Sequence, residues 1–515
     1  MSTVTKVLSN VFSNWATLVL NLLISFFLAP FVVNRLGSTY YGIWVIMMQL
    51  TGYLYLLDFG VRESVIRYVS KYNAEEDSQK IGRVINSALV LYSLICLLCI
   101  ATAAVIAYIF PFVFKISPES ISVARIVVLI TGINLGQFFV FNVFTGVLMG
   151  MQRYDIFNKV SICFAIIRVV LIVYFLNRGY GIIALAGIQL VINFVINLIN
   201  YVMSRRILHF RLSIRFSKRN HSTIIKQLVN YSFFVLLINI CQKLIFYTDA
   251  LVIGYFLSAS SITYYAIAGN LIEYLRRFVI SMANVLNPFV SELDSRRDPT
   301  TIITVLIQGT KFSLLIGLPI CAVYFTMGHN FIQLWMGAEY AGPAAAVLMI
   351  LSITHLFSLP HYTVSSVLYG LSKHKIIAYS KLFEAAANVV ISILLVKPYG
   401  IIGVAYGTAF PHLISVLFVF PIMITRIMNL SLKKYLLESY TGPLISSVPF
   451  IYVCFFLEKH HPTDNLIFFF GQILLILPIY IFPAWFISFS KEERKCHRSL
   501  LSTSLLRNRR RKNLG

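Results

Sequence analysis

Glu273, Arg276 and Arg277 are the chain's strongest chemical signal, because a glutamate and two arginines lie inside an otherwise apolar run. On a helix, Glu273 reaches Arg276 at i+3 and Arg277 at i+4, so one arginine is neutralised and one net positive charge remains. An ionisable side chain deep in a bilayer costs about 2.5–3.5 kcal/mol on insertion scales, so each one asks for a reason. A guanidinium is a planar fork that grips two oxygens at once, which suits a diphosphate. The other reading, an intrahelical ion pair that eases burial, stays open on the sequence.

Further ionisable groups sit in similar runs. Lys243 and Asp249 are six residues apart, about 600° of helical rotation, so they occupy different faces and need separate partners. Lys243 is expected to face a cavity. Asp58 and Arg62 are one helical turn apart, within pairing distance, with Glu63 next in line. Arg67 is expected to snorkel to headgroups. Arg168 is a buried cation without a local partner, and Arg35 reads as a gate or a capping charge. Lys381 and Glu384 are i,i+3 neighbours that read as a packing pair. The imidazoles of His355, His361 and His412 offer proton coupling or a satisfied helix interface. Asp58 and Asp249 are alternative coupling-ion sites. Cys96 and Cys99 form a C-x-x-C without partner ligands, so neither a metal nor another cofactor is expected.

The elements that carry these groups are about fourteen apolar segments, at 8–33, 41–69, 85–110, 121–149, 160–177, 181–203, 228–257, 262–290, 301–327, 343–369, 376–396, 401–424, 442–457 and 466–488. A bilayer core about 30 Å thick takes roughly 20 apolar residues per helix. Hydrophobic residues make up 58% of the chain and charged residues only 12%, against about 25% charge in soluble domains. The fold class is therefore an all-α polytopic membrane protein. The segment 8–33 is too long for a signal-peptide core and reads as a retained first span. The net charge of +24 does not point to nucleic acid. Most Lys and Arg fall at the amino terminus, in the even-numbered connections and in the tail, which puts both termini in the cytoplasm. Basic runs at Arg205 to Lys226 and in the tail suit anionic headgroups. Pro30, Pro319, Pro360 and Pro411 are expected to kink their helices.

The first twelve spans read as two copies of one six-span unit. VLMGMQRYDIFNK at 147–159 aligns with VLYGLSKHKIIAY at 367–379, and GYGIIALAG around Gly181 matches PYGIIGVAYG around Gly400. An even number of spans per copy makes this a parallel repeat, as in transporters built from two rocking halves. The expected domains are a first lobe at 1–210, a basic linker at 211–227, a second lobe at 228–430, two further spans at 431–490 and a basic tail at 491–515.

The chain resembles the polysaccharide transporters, the oligosaccharide-lipid flippases of the multidrug/oligosaccharidyl-lipid/polysaccharide exporter superfamily. The likeness rests on Leu36-Gly37, Tyr41-Gly42-x-Trp44, Leu57-Asp58-Phe59-Gly60, Arg67-Tyr68, Gly150-x-Gln152-Arg153 and Tyr180-Gly181-Ile182. It covers about residues 5–425, with two extra helices after it. The resemblance implies two pseudo-symmetric six-helix lobes around a cavity that opens alternately to each side of a bacterial inner membrane. It implies an undecaprenyl-diphosphate-linked O-antigen or capsule unit as substrate, membrane lipid as surroundings, and the polysaccharide polymerase and chain-length regulator as partners. Family members place cations in the first, second and eighth spans; Arg62 and Arg276 fit that pattern. The first span here carries no basic residue in its apolar stretch, so Lys243 or Arg168 stands in.

No G-x-x-x-x-G-K-[ST], H-E-x-x-H or G-x-S-x-G occurs, so ATP hydrolysis by a P-loop and these hydrolase chemistries are not expected. Two other transporter readings remain: a multidrug cation antiporter, and a peptidoglycan-precursor flippase. The cationic cluster favours an anionic headgroup over an organic cation.

Overall fold

The computed structural model describes residues 3–58, 60–208 and 233–495. The expected linker at 211–227 and the tail beyond residue 495 lie outside these. Every regular element among the described residues is helical, as hydrocarbon demands of a chain that must satisfy its own backbone. Ten stretches among them are long and apolar enough to cross a membrane. The chain is thus a multi-pass membrane protein.

The helices run α1 (Thr3–Leu54), α2 (Val61–Ala74), α3 (Ser78–Val113), α4 (Ile121–Gly150), α5 (Tyr154–Asn177) and α6 (Gly181–Ile207). After the undescribed linker come α7 (Phe233–Phe256), α8 (Ala259–Ala283), α9 (Leu286–Ser295), α10 (Pro299–Thr326), α11 (Gly328–Met336) and α12 (Ala338–Gly370). The remainder are α13 (His374–Ile414), α14 (Phe420–Ile427), α15 (Leu432–Leu436), α16 (Gly442–His460) and α17 (Leu466–Ile487).

The longest helices, α1 and α13, are each broken at one glycine, Gly37 with φ 77° and Gly400 with φ 60°. A side chain at positive φ costs about 1–2 kcal/mol, which is why glycine makes these breaks. Pro30, Pro319, Pro360 and Pro411 lie within helices. Two expected spans are interrupted. The stretch 41–69 passes through a 3-10 turn at Tyr55–Asp58 and a left-handed Gly60 (φ 72°) before α2. The stretch 262–290 is divided between α8 and α9.

The sequence repeat is visible in the backbone. Glu76 (φ 54°) and Arg297 (φ 56°) precede Asp77 and Asp298. Those aspartates cap α3 and α10 by accepting hydrogen bonds from Lys80 N (2.9 Å) and Thr301 N (3.1 Å). Gln152 (φ 56°) and Ser372 (φ 58°) make the same turn after Gly150 and Gly370. A Cβ on Gly150 would meet Ile66 O at 2.9 Å, and one on Gly370 would meet Asn287 O at 2.9 Å. Helix α4 therefore touches α2 as α12 touches α9.

The chain packs as two units, residues 1–266 with 389–404, and residues 267–388 with 405–515. In the first, Val61, Val65 and Val69 form an i, i+4, i+8 stripe on α2, buried with Ile85 and Tyr92 of α3 and Phe139, Val143 and Val147 of α4. In the second, α10 packs on α12 and α16. Tyr480 of α17 donates to Leu315 O of α10 at 2.8 Å.

Just beyond α17, Glu493 accepts from Lys311 Nζ of α10 at 2.9 Å and from Ser490 N at 2.6 Å. Burial pushes the Glu493 carboxyl up, but hydrogen bonds from Lys311, Ser490 N and Gln308 outweigh it and hold it below the ordinary glutamate value. A carboxylate depressed in the folded state contributes stability above its unfolded value, about 4.3, and loses it as pH falls through the folded value. Glu493→Gln should therefore flatten the acid limb of thermal stability in detergent and lower Tm near neutral pH. An acid limb identical to that of the parent protein would remove this role.

Candidate functional site

Helix α8 carries the Glu273 cluster as the spacing requires. Arg276 Nε donates to Glu273 Oε2 at 2.6 Å, and Arg277 Nε donates to Glu273 Oε1 at 2.7 Å. One carboxylate thus holds two guanidinium groups, and the trio keeps one positive charge. The two arginines differ in access: the Arg276 side chain is 18% exposed and that of Arg277 59%. Arg277 spends only Nε on Glu273, so its terminal nitrogens suit a two-oxygen acceptor.

The expected pairing of Arg62 with Asp58 is not formed. Arg62 instead donates from Nε and Nη2 to Glu63 Oε1, at 3.2 and 2.9 Å. Asp58 accepts from the Tyr92 hydroxyl of α3. The 3-10 turn and the left-handed Gly60 end the helix between them, so the i,i+4 relation never arises. Arg67 is exposed, with its guanidinium 6.0 Å from the Tyr68 ring centre. Arg35 is exposed beside Phe31.

Lys243 and Asp249 have separate partners, as their angular separation requires. Lys243 donates to the Tyr247 hydroxyl at 2.8 Å and lies 4.4 Å from that ring's centre. Asp249 is buried and accepts from the Tyr265 hydroxyl at 2.6 Å. Arg168 pairs with amides: Nη2 donates to Asn193 Oδ1 at 2.9 Å, and Asn193 Nδ2 donates to Asn134 Oδ1 at 3.1 Å. Gln137 joins Asn134 at 3.1 Å and α6 at Leu190 O, 2.9 Å. This ladder ties α4, α5 and α6 together, and sequence separation hides it.

In α12 and α13 the expected Lys381–Glu384 pair forms and gains a partner that the spacing did not give. Lys381 and Glu384 pair at 3.1 and 2.9 Å, and His412 Nδ1 joins Glu384 Oε1 at 2.5 Å. His355 and His361 have ring centres 5.8 and 6.3 Å from that of His412. All five residues are buried. The break at Gly400 folds α13 back on itself, so Glu384 faces His412 and Asn388 faces Thr408 at 2.9 Å. The expected boundary between the spans 376–396 and 401–424, and the matching break at Gly181, were the sequence signals for that hairpin.

The model of the family described as polysaccharide biosynthesis protein matches residues 32–345. A Shigella flexneri protein named for O-antigen transport is 21% identical over 382 residues, 73% of this chain and 87% of that protein. Among solved structures, the lipid II flippase MurJ in an inward closed conformation has TM-score 0.72 at 16% identity, covering 93% of this chain and 98% of that one. A multidrug resistance MATE family transporter of the MOP superfamily, inward-facing, has TM-score 0.70 at 14% identity, covering 81% and 96%. At these identities the structures establish a shared fold and nothing narrower.

Proposed function

This chain belongs to the polysaccharide biosynthesis protein family, and we propose that it is a flippase for undecaprenyl-diphosphate-linked oligosaccharide units of O-antigen or capsule type. It moves them from the cytoplasmic to the periplasmic leaflet of the inner membrane by alternating access, through about fourteen spans with both termini in the cytoplasm. The observation that carries this reading is the Glu273–Arg276–Arg277 trio on α8, one net cation with an accessible guanidinium fork. Arg276 and Arg277 hold the diphosphate, and Glu273 fixes their orientation. Arg62, Lys243 and Arg168 are further cations for the anionic substrate. A relative named for O-antigen transport and a structural neighbour named as a flippase support this reading, in which the chain performs no covalent step.

The antiporter reading draws support from the fold, which is common to MATE transporters. An organic cation would need carboxylates where this chain places arginines, so electrostatic complementarity favours the lipid diphosphate. Deleting the gene separates the two. The flippase reading expects loss of surface polysaccharide with lipid-linked single units accumulating. Unchanged polysaccharide with altered sensitivity to cationic drugs would overturn it in favour of the antiporter.

A further inference from the structure

The buried cluster on α12 and α13 lies outside the set of residues assigned above to the diphosphate, and it gathers a lysine, a glutamate and three histidines. Its hydrogen bonds fix where protons already are. A carboxylate and a carbonyl oxygen only accept, so a ring nitrogen facing either must carry hydrogen. His412 Nδ1 faces Glu384 Oε1 at 2.5 Å, and His355 Nδ1 faces Leu351 O at 2.9 Å. Each neutral imidazole therefore presents a bare Nε2.

The charges set how many protons fit. Lys381 and Glu384 cancel, so with neutral histidines the cluster carries no net charge. A proton on His412 Nε2 makes an imidazolium whose other nitrogen already rests on Glu384, the one carboxylate bonded to it. A second proton on His355 would set two imidazolium rings 5.8 Å apart, and the charge of Arg276 also reaches His355 from α8. His361 faces Ser365 Oγ at 3.2 Å and packs 4.0 Å from the Phe420 ring centre; Glu384 acts on it without a hydrogen bond, against Lys381 and His412. Tyr362 is a further titratable neighbour, within electrostatic reach of Arg276, Glu273 and Glu384. A metal cation is disfavoured, because Lys381 bonds both oxygens of Glu384 and His412 shares one of them.

We propose that this cluster is a proton-binding site with a capacity of one, taking its proton from solvent onto His412 Nε2 against Glu384. The step forms one N–H bond and releases water from hydronium. In the transporter of the preceding section, on which this clause rests, the site is where a proton gradient acts. A buried imidazole whose charge appears and disappears inside a low-dielectric helix pair is suited to bias two conformations.

The test is histidine-labelled full-length protein in lipid nanodiscs, followed by NMR from about pH 8 to about pH 5, the range in which imidazole titrates. His412→Gln assigns the resonance. Expected are protonation of His412 while His355 and His361 stay neutral, and a proton uptake smaller by one in His412→Gln. Glu384→Gln should move the His412 midpoint down by more than one pH unit. Lys381→Met, which leaves the carboxylate to His412 alone, should move it up. A His412 that stays neutral throughout, or an uptake unchanged in His412→Gln, overturns the proposal. The uptake comparison needs only the histidine variant, so it stands even if Glu384→Gln fails to fold. Polysaccharide export enters none of these readings, so failure of the flippase assignment would leave the titration unchanged, and a silent His412 would leave the flippase assignment standing.

Discussion

Arg277→Ala is expected to cut export of the lipid-linked sugar by roughly 100-fold while the protein stays at its normal level in the membrane. The magnitude is that of one guanidinium fork on a phosphate, about 3 kcal/mol for two charge-assisted bonds, at about 1.4 kcal/mol per tenfold. The protein survives because Arg276 keeps its bonds to Glu273 Oε2 at 2.6 Å and 2.5 Å, a neutral pair. What disappears is the net positive charge and the more exposed of the two forks. Arg277→Lys should restore part of the activity, since lysine supplies the charge without the planar fork. The readout is surface polysaccharide per unit of membrane-inserted protein. Full export by Arg277→Ala at normal protein level would remove the diphosphate role from this helix.

The second large effect concerns folding. Gly42→Ala is expected to deplete the protein from the membrane fraction and lower its thermal stability in detergent. A Cβ at Gly42 would lie 1.8 Å from Ala259 O and 2.6 Å from its carbonyl carbon. Backbone meets backbone, so no rotamer relieves the overlap; α1 and the start of α8 must separate. Overpacking in a well-packed interior costs about 1–3 kcal/mol, and a clash that displaces two helices belongs at or above the top of that range. Gly82→Ala is the control, because nothing lies within 4 Å of a Cβ there. Immunoblotting of membranes and a detergent melt compare the two. Equal abundance and equal Tm would mean the helices have slack at this crossing.

These two sites show what was legible in the chain. The Glu273 cluster could be read because i+3 and i+4 contacts are set by helix geometry alone. The repeat could be read because close backbone approach at Gly150 and Gly370, and positive φ at Gly181 and Gly400, both demand glycine and so leave a mark in residue type. The Arg62 partner was misread because Gly60 and the 3-10 turn before it end the helix, after which spacing no longer predicts contact. Lys243 and Tyr247 are i,i+4 neighbours, so that bond was available to the same argument. The His412–Glu384 bond spans 28 residues across a hairpin, and the Arg168 amide ladder joins three helices. Neither follows from periodicity, which says which face is apolar but not which faces meet.

The central claim is that the chain carries lipid-linked sugar from one leaflet to the other, and leaflet accessibility tests it most directly. Spheroplasts with and without the protein, blocked in polymerisation, are treated with a membrane-impermeant sugar oxidant, and the lipid-linked units are extracted. The account predicts that units are oxidised when the protein is present and shielded when it is absent, with Arg277→Ala resembling absence. Equal oxidation in all three would contradict it.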